Sequence, residues 1–243
     1  MSQNAAKTRL YVPEPLSLGA EIQLSFDHAH SLGNVLRLKL DDPVALFNSN
    51  DGEWVGPLTT LKKRNAVITI DQQTRSAEPE PGPWLVFAPL KKTRTQMVIE
   101  KATELGVERI LPVITENTIG GRINRDRMVA NAIEAAEQCE RLSVPDIAEA
   151  QSLDDLLSSW PEDRCLLVGD ETGTGEPIAA VLSSKGHRFQ DYGIVIGPEG
   201  GFQPDELKTL KTRGFTTLID LGPRILRAET AVISTLACLM ALT

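Results

Sequence analysis

Cysteine is scarce in this 243-residue chain: Cys139, Cys165 and Cys238 are odd in number and far apart. Such a set builds neither a disulfide framework nor a zinc spacing. His28, His30 and His187 supply no ligand pattern to complete one; His28-x-His30 reads as solvated loop, so no metal is expected. Aromatic residues make up only 5% of the chain, which leaves few rings to stack an extruded base, with Tyr11 and Phe202 the candidates and core packing the plainer use of both. Long apolar runs are absent too. The longest, 228–242, is interrupted by Glu229, Thr230, Ser234 and Thr235 and falls short of the roughly 20 residues a membrane span needs. It reads as a buried helix, and no membrane partner is expected. The opening Met-Ser-Gln-Asn-Ala-Ala-Lys has no apolar h-region, so the expectation is a cytoplasmic protein.

Several catalytic signatures are missing as well. Gly173-Thr-Gly175 lacks the later glycine of a dinucleotide fingerprint and the Gly-Lys-Ser/Thr ending of a P-loop. No Gly-x-Ser-x-Gly occurs, which removes the nucleophile of an α/β-hydrolase. An excess of positive charge is also lacking: the net charge is −8. Residues 1–76 hold 8 Lys+Arg and 8 Asp+Glu, so the remainder carries the whole deficit. Binding to phosphate needs local clusters rather than a positive total. Three exist: Lys62-Lys63-Arg64, Lys91-Lys92-Thr93-Arg94, and Arg122 with Arg125 and Arg127. Each alone reads as a solvated face.

What remains is an ordinary globular composition, 41% hydrophobic and 24% charged, enough to bury a substantial core. Residues 1–72 alternate short β-like runs (9–12, 21–26, 35–40, 44–47, 53–55 and 66–70) with turn signals such as Asp41-Asp-Pro43, Asn48-Ser-Asn-Asp-Gly52 and Gly56-Pro57. One helical turn fits within 30–37. Frequent short strands predict a small β-barrel or sandwich. Residues 73–83, rich in proline and charge, read as a linker. From Trp84 to residue 243, strand-like and helix-like segments alternate. Strands are predicted at 84–88, 109–114, 165–168, 192–196 and 217–219, with helices at 94–105, 124–142, from 203 and from 228. This is the signature of a parallel α/β sheet.

The most informative segments are Gly197-Pro-Glu-Gly-Gly-Phe202 and Leu221-Gly-Pro-Arg-Ile-Leu-Arg-Ala-Glu-Thr230. Each follows a β-branched run and leads into a helical pattern, so each lies at the carboxyl edge of the sheet, where open α/β folds bind ligands. Glycine lets backbone approach a ligand closely, and proline stiffens the loop. Two such loops make a pocket lined by backbone, suited to a small polar cofactor. Arg224, Arg227 and Glu229 crowd the second loop just before a very apolar helix.

The order of these pieces resembles the bacterial 16S ribosomal RNA uridine-N3 methyltransferases, the RsmE family of the SPOUT superfamily. Six segments carry the resemblance: 9–16, 35–37, Glu100-Lys-Ala-Thr-Glu-Leu-Gly-Val107, Glu137-Gln-Cys-Glu-Arg-Leu-Ser-Val-Pro145, 196–202 and 221–230. There are departures. Ser31-Leu-Gly-Asn34 precedes Val35, with His30 one position further out than the family's usual histidine. Glu140 stands where glycine is common, and Thr95-Gln96 replaces an apolar-acidic pair.

The resemblance implies an α/β fold: a PUA-like β-barrel for RNA docking (1–72), a linker (73–83), and a C-terminal SPOUT domain (84–243) whose parallel sheet carries a deep trefoil knot. It implies S-adenosylmethionine as cofactor, held by Gly197, Pro198, Glu199, Gly200, Gly201, Leu221, Gly222, Ile225, Leu226 and Arg227, with the loop after Val168 as a third wall. It further implies a homodimer acting on 16S rRNA in the small subunit. Deprotonated uridine N3 spreads charge over O2 and O4, and Arg224 and Arg227 are the candidates for stabilising it or for gripping the target phosphate. Glu229 is the third catalytic candidate, as arginine orienter or proton acceptor, and Glu199 caps the following helix or shapes the pocket. Candidate RNA contacts are Arg9, Arg37, Lys91, Arg94, Gln138 and Arg141. Two alternatives stay open: a related methyltransferase with another RNA acceptor, and a non-catalytic ribosome-assembly protein.

Overall fold

The computed structural model describes residues 6–118, 123–186 and 188–243; Arg122 and His187 fall outside them. The chain divides into two compact units, Met1–Glu80 with Ala136–Val144, and Pro81–Ala135 with Pro145–Thr243.

The first unit is built on a six-stranded sheet. Its elements are β1 (Arg9–Tyr11), β2 (Glu21–Leu24), α1 (Phe26–His30), β3 (Pro43–Asn48), β4 (Gly52–Lys62), β5 (Asn65–Thr69) and β6 (Gln72–Arg75). The strand order is β1-β3-β4-β5-β2, with β6 also on β4. Only the β1–β3 pair is parallel. The long β4 serves both halves of the sheet and shifts register between Leu58 and Thr60; such bulges curl a sheet toward a half-barrel. Alternation along β2 and β5 turns Ile22, Leu24, Ala66 and Ile68 inward onto Leu10, Leu46 and Leu58. Each large side chain buried this way contributes about 1.5–3 kcal/mol.

Three local expectations for this unit are corrected. Residues 35–40 form no strand, because α1 runs on into a π-helical turn, Ser31–Val35. The Ser25 side chain caps α1, and buried Leu32 and Leu38 hold the segment, with Leu38 N donating to Leu32 O at 2.9 Å. The Gly56-Pro57 turn signal lies inside β4. There a Cβ on Gly56 would collide with the Thr69 carbonyl, and Pro57 sits opposite Pro43. Finally, the stretch read as a linker begins with β6. At its far end, Glu80 accepts bonds from Ser143 Oγ (2.6 Å), Ser143 N (2.9 Å) and Leu142 N (3.3 Å). Burial raises the Glu80 pKa, but these bonds and Arg141 outweigh it, leaving it below the usual carboxylate value.

The second unit is an eight-stranded sheet in which every pairing is parallel. In chain order it contains β7 (Trp84–Phe87), α2 (Lys92–Glu104), β8 (Arg109–Ile114), α3 (Arg125–Gln138, its last turn counted with the first unit), β9 (Asp146–Ile147), β10 (Gln151–Ser152) and α4 (Leu153–Ser158). These are followed by β11 (Cys165–Gly169), β12 (Glu176–Pro177), α5 (Ile178–Lys185), β13 (Tyr192–Ile196), α6 (Pro204–Thr212), β14 (Thr216–Asp220) and α7 (Ala228–Leu242). The strand order is β10-β8-β7-β13-β11-β14-β12, with β9 on β8. The central strands are buried along their length, β13 completely, as parallel strands covered on both faces must be. α3 ends earlier than the sequence predicts, at Gln138 rather than 142, because Glu140 adopts a left-handed φ of 61°. Among the described residues no helix is long and apolar enough to cross a membrane, and no His/Cys/Asp/Glu group could hold a metal ion.

Candidate cofactor cleft

Strand β11 lies between β13 and β14, and all three are parallel. Their carboxyl ends therefore point to one edge, and the loops that leave them open side by side. Between these loops lies a cleft of about 570 Å³, a size suited to a small-molecule ligand. Gly197, Pro198, Glu199 and Gly201 line it from the loop after β13. Leu221, Gly222, Arg224, Ile225, Leu226 and Arg227 line it from the loop after β14. The loop after β11 forms the third wall with Asp170, Glu171, Thr172 and Gly173. Of the ten positions predicted to hold the cofactor, only Gly200 is absent from this lining.

Each wall has a local cause. Asp170 is buried at the end of β11 and accepts from the Thr172 amide (2.9 Å) and hydroxyl (2.7 Å) and from the Thr174 amide (3.2 Å) and hydroxyl (2.5 Å). Burial pushes its pKa up, and the four bonds together bring it below the ordinary aspartate value. The first glycine loop turns at Gly201, φ 70°, where Gly201 N bonds Pro198 O at 2.9 Å. A Cβ there would strike the Glu171 carboxylate. Asn117 Nδ2 donates to the carbonyls of Gly200 and Gly201, each at 3.0 Å, and its Oδ1 accepts from Gln203 Nε2 at 2.9 Å. Asn117 thus pins the loop that Gly200 belongs to. Its position gave no signal in the sequence, since it is brought there from 83 residues away.

Arg94 also lines the cleft, reaching it from α2. Its guanidinium bonds Glu199, and its Nε lies 3.7 Å from Glu229 Oε1. Glu229 occupies the first turn of α7, where the helix dipole favours a carboxylate. It is only 8% exposed, and its Oε2 is buried without a partner. Glu229 therefore faces Arg94 rather than Arg224 or Arg227, which are exposed and form no ion pair among the described residues. Glu199 does not cap α6; there Gln203 N donates to Glu206 Oε2 at 2.8 Å.

The predicted RNA contacts separate into two groups. Arg37, Lys91 and Gln138 are exposed, and Arg94 sits at the cleft as described. Arg9 and Arg141 are not available as phosphate contacts. Arg9 donates to Glu53 Oε2 (2.6 Å), Ala136 O (2.8 Å) and Arg141 O (2.6 Å) beneath the Phe47 ring. Arg141 is buried, and its Nε donates to Ser143 Oγ at 3.1 Å. Both hold the segment 136–144 in the first unit, a use of arginine that local sequence does not reveal. Tyr11 packs edge-on against Phe47, with centroids 5.8 Å apart, and Phe202 packs against the second unit's core.

The cleft suits a charged, partly apolar cofactor. Glycine backbone lets the ligand lie close, Ile196, Ile219 and Leu226 give an apolar wall, and the carboxylates of Asp170, Glu171, Glu199 and Asp220 share the lining with the guanidinium groups of Arg94, Arg224 and Arg227. Fold and cleft together define a methyltransferase of the RNA-modifying type, and the RNA methyltransferase domain family matches residues 78–240. The chain is 35% identical to ribosomal RNA small subunit methyltransferase E of Rickettsia conorii, over 94% of its own length and 93% of the relative's. With the Bacillus subtilis protein of the same name it shares 28% identity, covering 88% and 87%. The crystal structure of the Neisseria gonorrhoeae methyltransferase E bound to S-adenosyl methionine superposes with a TM-score of 0.84 at 28% identity, over 97% of both chains. A Legionella pneumophila protein in complex with the same cofactor gives 0.82 at 28%, over 96% and 97%. This chain belongs to the ribosomal RNA small subunit methyltransferase E family.

Proposed function

We propose that the protein transfers a methyl group from S-adenosylmethionine to N3 of a uridine in 16S rRNA of the small ribosomal subunit. The single observation that carries this reading is the three-loop cleft, glycine-lined and holding carboxylates, with two arginines in its walls that form no ion pair among the described residues. The cofactor, when bound, supplies a methyl group on a sulfonium sulfur. The chain's part is to hold acceptor and methyl donor in line, which is worth up to roughly 7–11 kcal/mol of barrier. Asp170 and Glu171 favour the cationic donor, while Gly197 and Gly201 let its polar groups meet backbone. Arg224 and Arg227 stabilise charge on O2 and O4 as N3 loses its proton. Glu229 acts through Arg94, which it holds against the cleft. Lys91, Arg37 and Gln138 contact RNA phosphate or sugar. The knotted threading of the sheet and a homodimer that covers the exposed Met240 and Leu242 of α7 belong to the same proposal, as does the division of labour between an RNA-docking unit and a catalytic one.

Methyl-labelled cofactor and small subunits lacking the modification test it. Label recovered as 3-methyluridine at one 16S site is the expected result. Label on a ribose or another base sinks the acceptor and keeps the enzyme class. Cofactor binding without transfer would point to another RNA or assembly state, and no cofactor binding at all would favour the assembly-protein reading.

A further inference from the structure

The first unit carries an exposed aromatic site that the cleft chemistry does not use. Phe26 opens α1, its side chain 49% exposed, while Ala29 on the same helix is buried. The Arg64 guanidinium carbon stands 5.5 Å from the Phe26 ring centroid. One helical turn on, the His30 ring lies 6.3 Å away, tilted by 37°. Arg64 belongs to the two-residue turn between β4 and β5, so Lys62, Lys63 and Arg64 form one basic hairpin tip beside α1. All three are exposed, and none is ion-paired among the described residues. Asp27 is the only acidic residue on α1.

A single exposed phenylalanine is unremarkable on a protein surface. This one differs in its company: a planar cation and an imidazole flank it, at a cationic tip on a chain whose net charge is −8. Unpaired RNA bases are held this way, stacked on aromatic rings or guanidinium planes with neighbouring phosphates on basic side chains. Of the other rings considered for a base, Tyr11 packs edge-on against Phe47, and Phe202 packs on the second unit's core and lines the cleft. Charge complementarity thus selects a polyanion with flat, unpaired rings over an apolar protein partner.

We infer that Phe26 and Arg64 form a stacking platform for one unpaired nucleotide of the ribosomal RNA, its flanking phosphates held by Lys62 and Lys63. The inference rests on the RNA reading above and adds a second contact to it, outside the methyl-transfer cleft. Phe26→Ala, Phe26→Leu, Phe26→Trp and Arg64→Ala are compared with wild type by binding to deproteinised, unmodified 16S rRNA across a salt series. Thermal melting and S-adenosylmethionine binding check the fold. Phe26→Ala and Phe26→Leu are expected to bind roughly tenfold or more weakly, and Phe26→Trp like wild type, because stacking needs a π-face. Arg64→Ala is expected to bind several-fold more weakly, because the guanidinium plane of the platform is lost. Cofactor affinity stays unchanged in all four.

Wild-type affinity in both Phe26→Ala and Phe26→Leu overturns the platform. So does full rescue by leucine, which would mark a merely apolar contact. If wild type neither binds this RNA nor methylates unmodified small subunits, the function reading fails before any variant is compared.

Discussion

Arg94 Nε lies 3.7 Å from Glu229 Oε1, and the same guanidinium bonds Glu199. One side chain of α2 thereby ties the first glycine loop to the start of α7. Arg94→Ala leaves Glu229 buried with no counter-charge, and a loss of about 1–3 kcal/mol is expected from the unmet carboxylate. Adding Glu229→Gln to Arg94→Ala should recover part of it. Calorimetric melting of the four combinations checks this, and additive losses would show that the pair is not coupled.

Gly201→Ala meets two obstacles, a left-handed φ and the Glu171 carboxylate. The carboxylate is the far end of a flexible chain and can move aside; the backbone strain, about 1 kcal/mol, stays. Glu171→Ala should therefore restore only part of the stability that Gly201→Ala loses. Calorimetric melting measures both.

Asp170 and Glu80 both titrate below their ordinary values in the fold. Their stabilisation is complete above the unfolded carboxylate pKa of about 4 and disappears as pH falls through the depressed values. Asp170→Asn cannot accept from both threonines, since its amide nitrogen only donates. The melting-temperature gap between wild type and Asp170→Asn is expected to be constant from pH 8 to 5 and to shrink below about pH 4. A gap independent of pH down to 3 would contradict the assignment.

Arg224→Ala and Arg227→Ala should each lower kcat by about 10²–10³ if their guanidinium groups meet developing charge on the base. Arg224→Ala is expected to leave cofactor affinity unchanged. A rise in KM alone would move Arg224 to substrate holding.

For Arg9→Met the expected loss is stability rather than RNA affinity. It leaves Glu53 without its partner at a site where the arginine side chain is 11% exposed, which costs about 3–5 kcal/mol. Where the variant is still folded, its salt slope on ribosomal RNA should match wild type. A flatter slope would restore Arg9 to the phosphate contacts.

Much of this architecture was legible in sequence because its determinants are local. β8, β13 and α7 match their predicted bounds, since apolar runs and helical periodicity are read within a few residues. The two glycine loops were legible for the same reason, each being a junction of strand and helix. Gly56-Pro57 misled because the same residues that make turns also allow close strand approach. β9, β10 and β12, two residues each, carry too few positions for any period. Arg9, Asn117 and Arg94 took roles set by partners 44 to 135 residues away, which no window of sequence contains. The SPOUT-type assignment came through resemblance, not periodicity.

Arg9 also gives the chain a timetable. Two of its guanidinium acceptors are carbonyls 127 and 132 residues downstream. At the roughly 5–20 residues per second of synthesis, Arg9 waits about 7–26 s before both exist. Until then a charge destined for the interior has only Glu53 to meet it, and the exposed edge of β1 stays uncovered. Until residue 141 has been made, that strand edge is left open to pairing with other chains while synthesis is still under way.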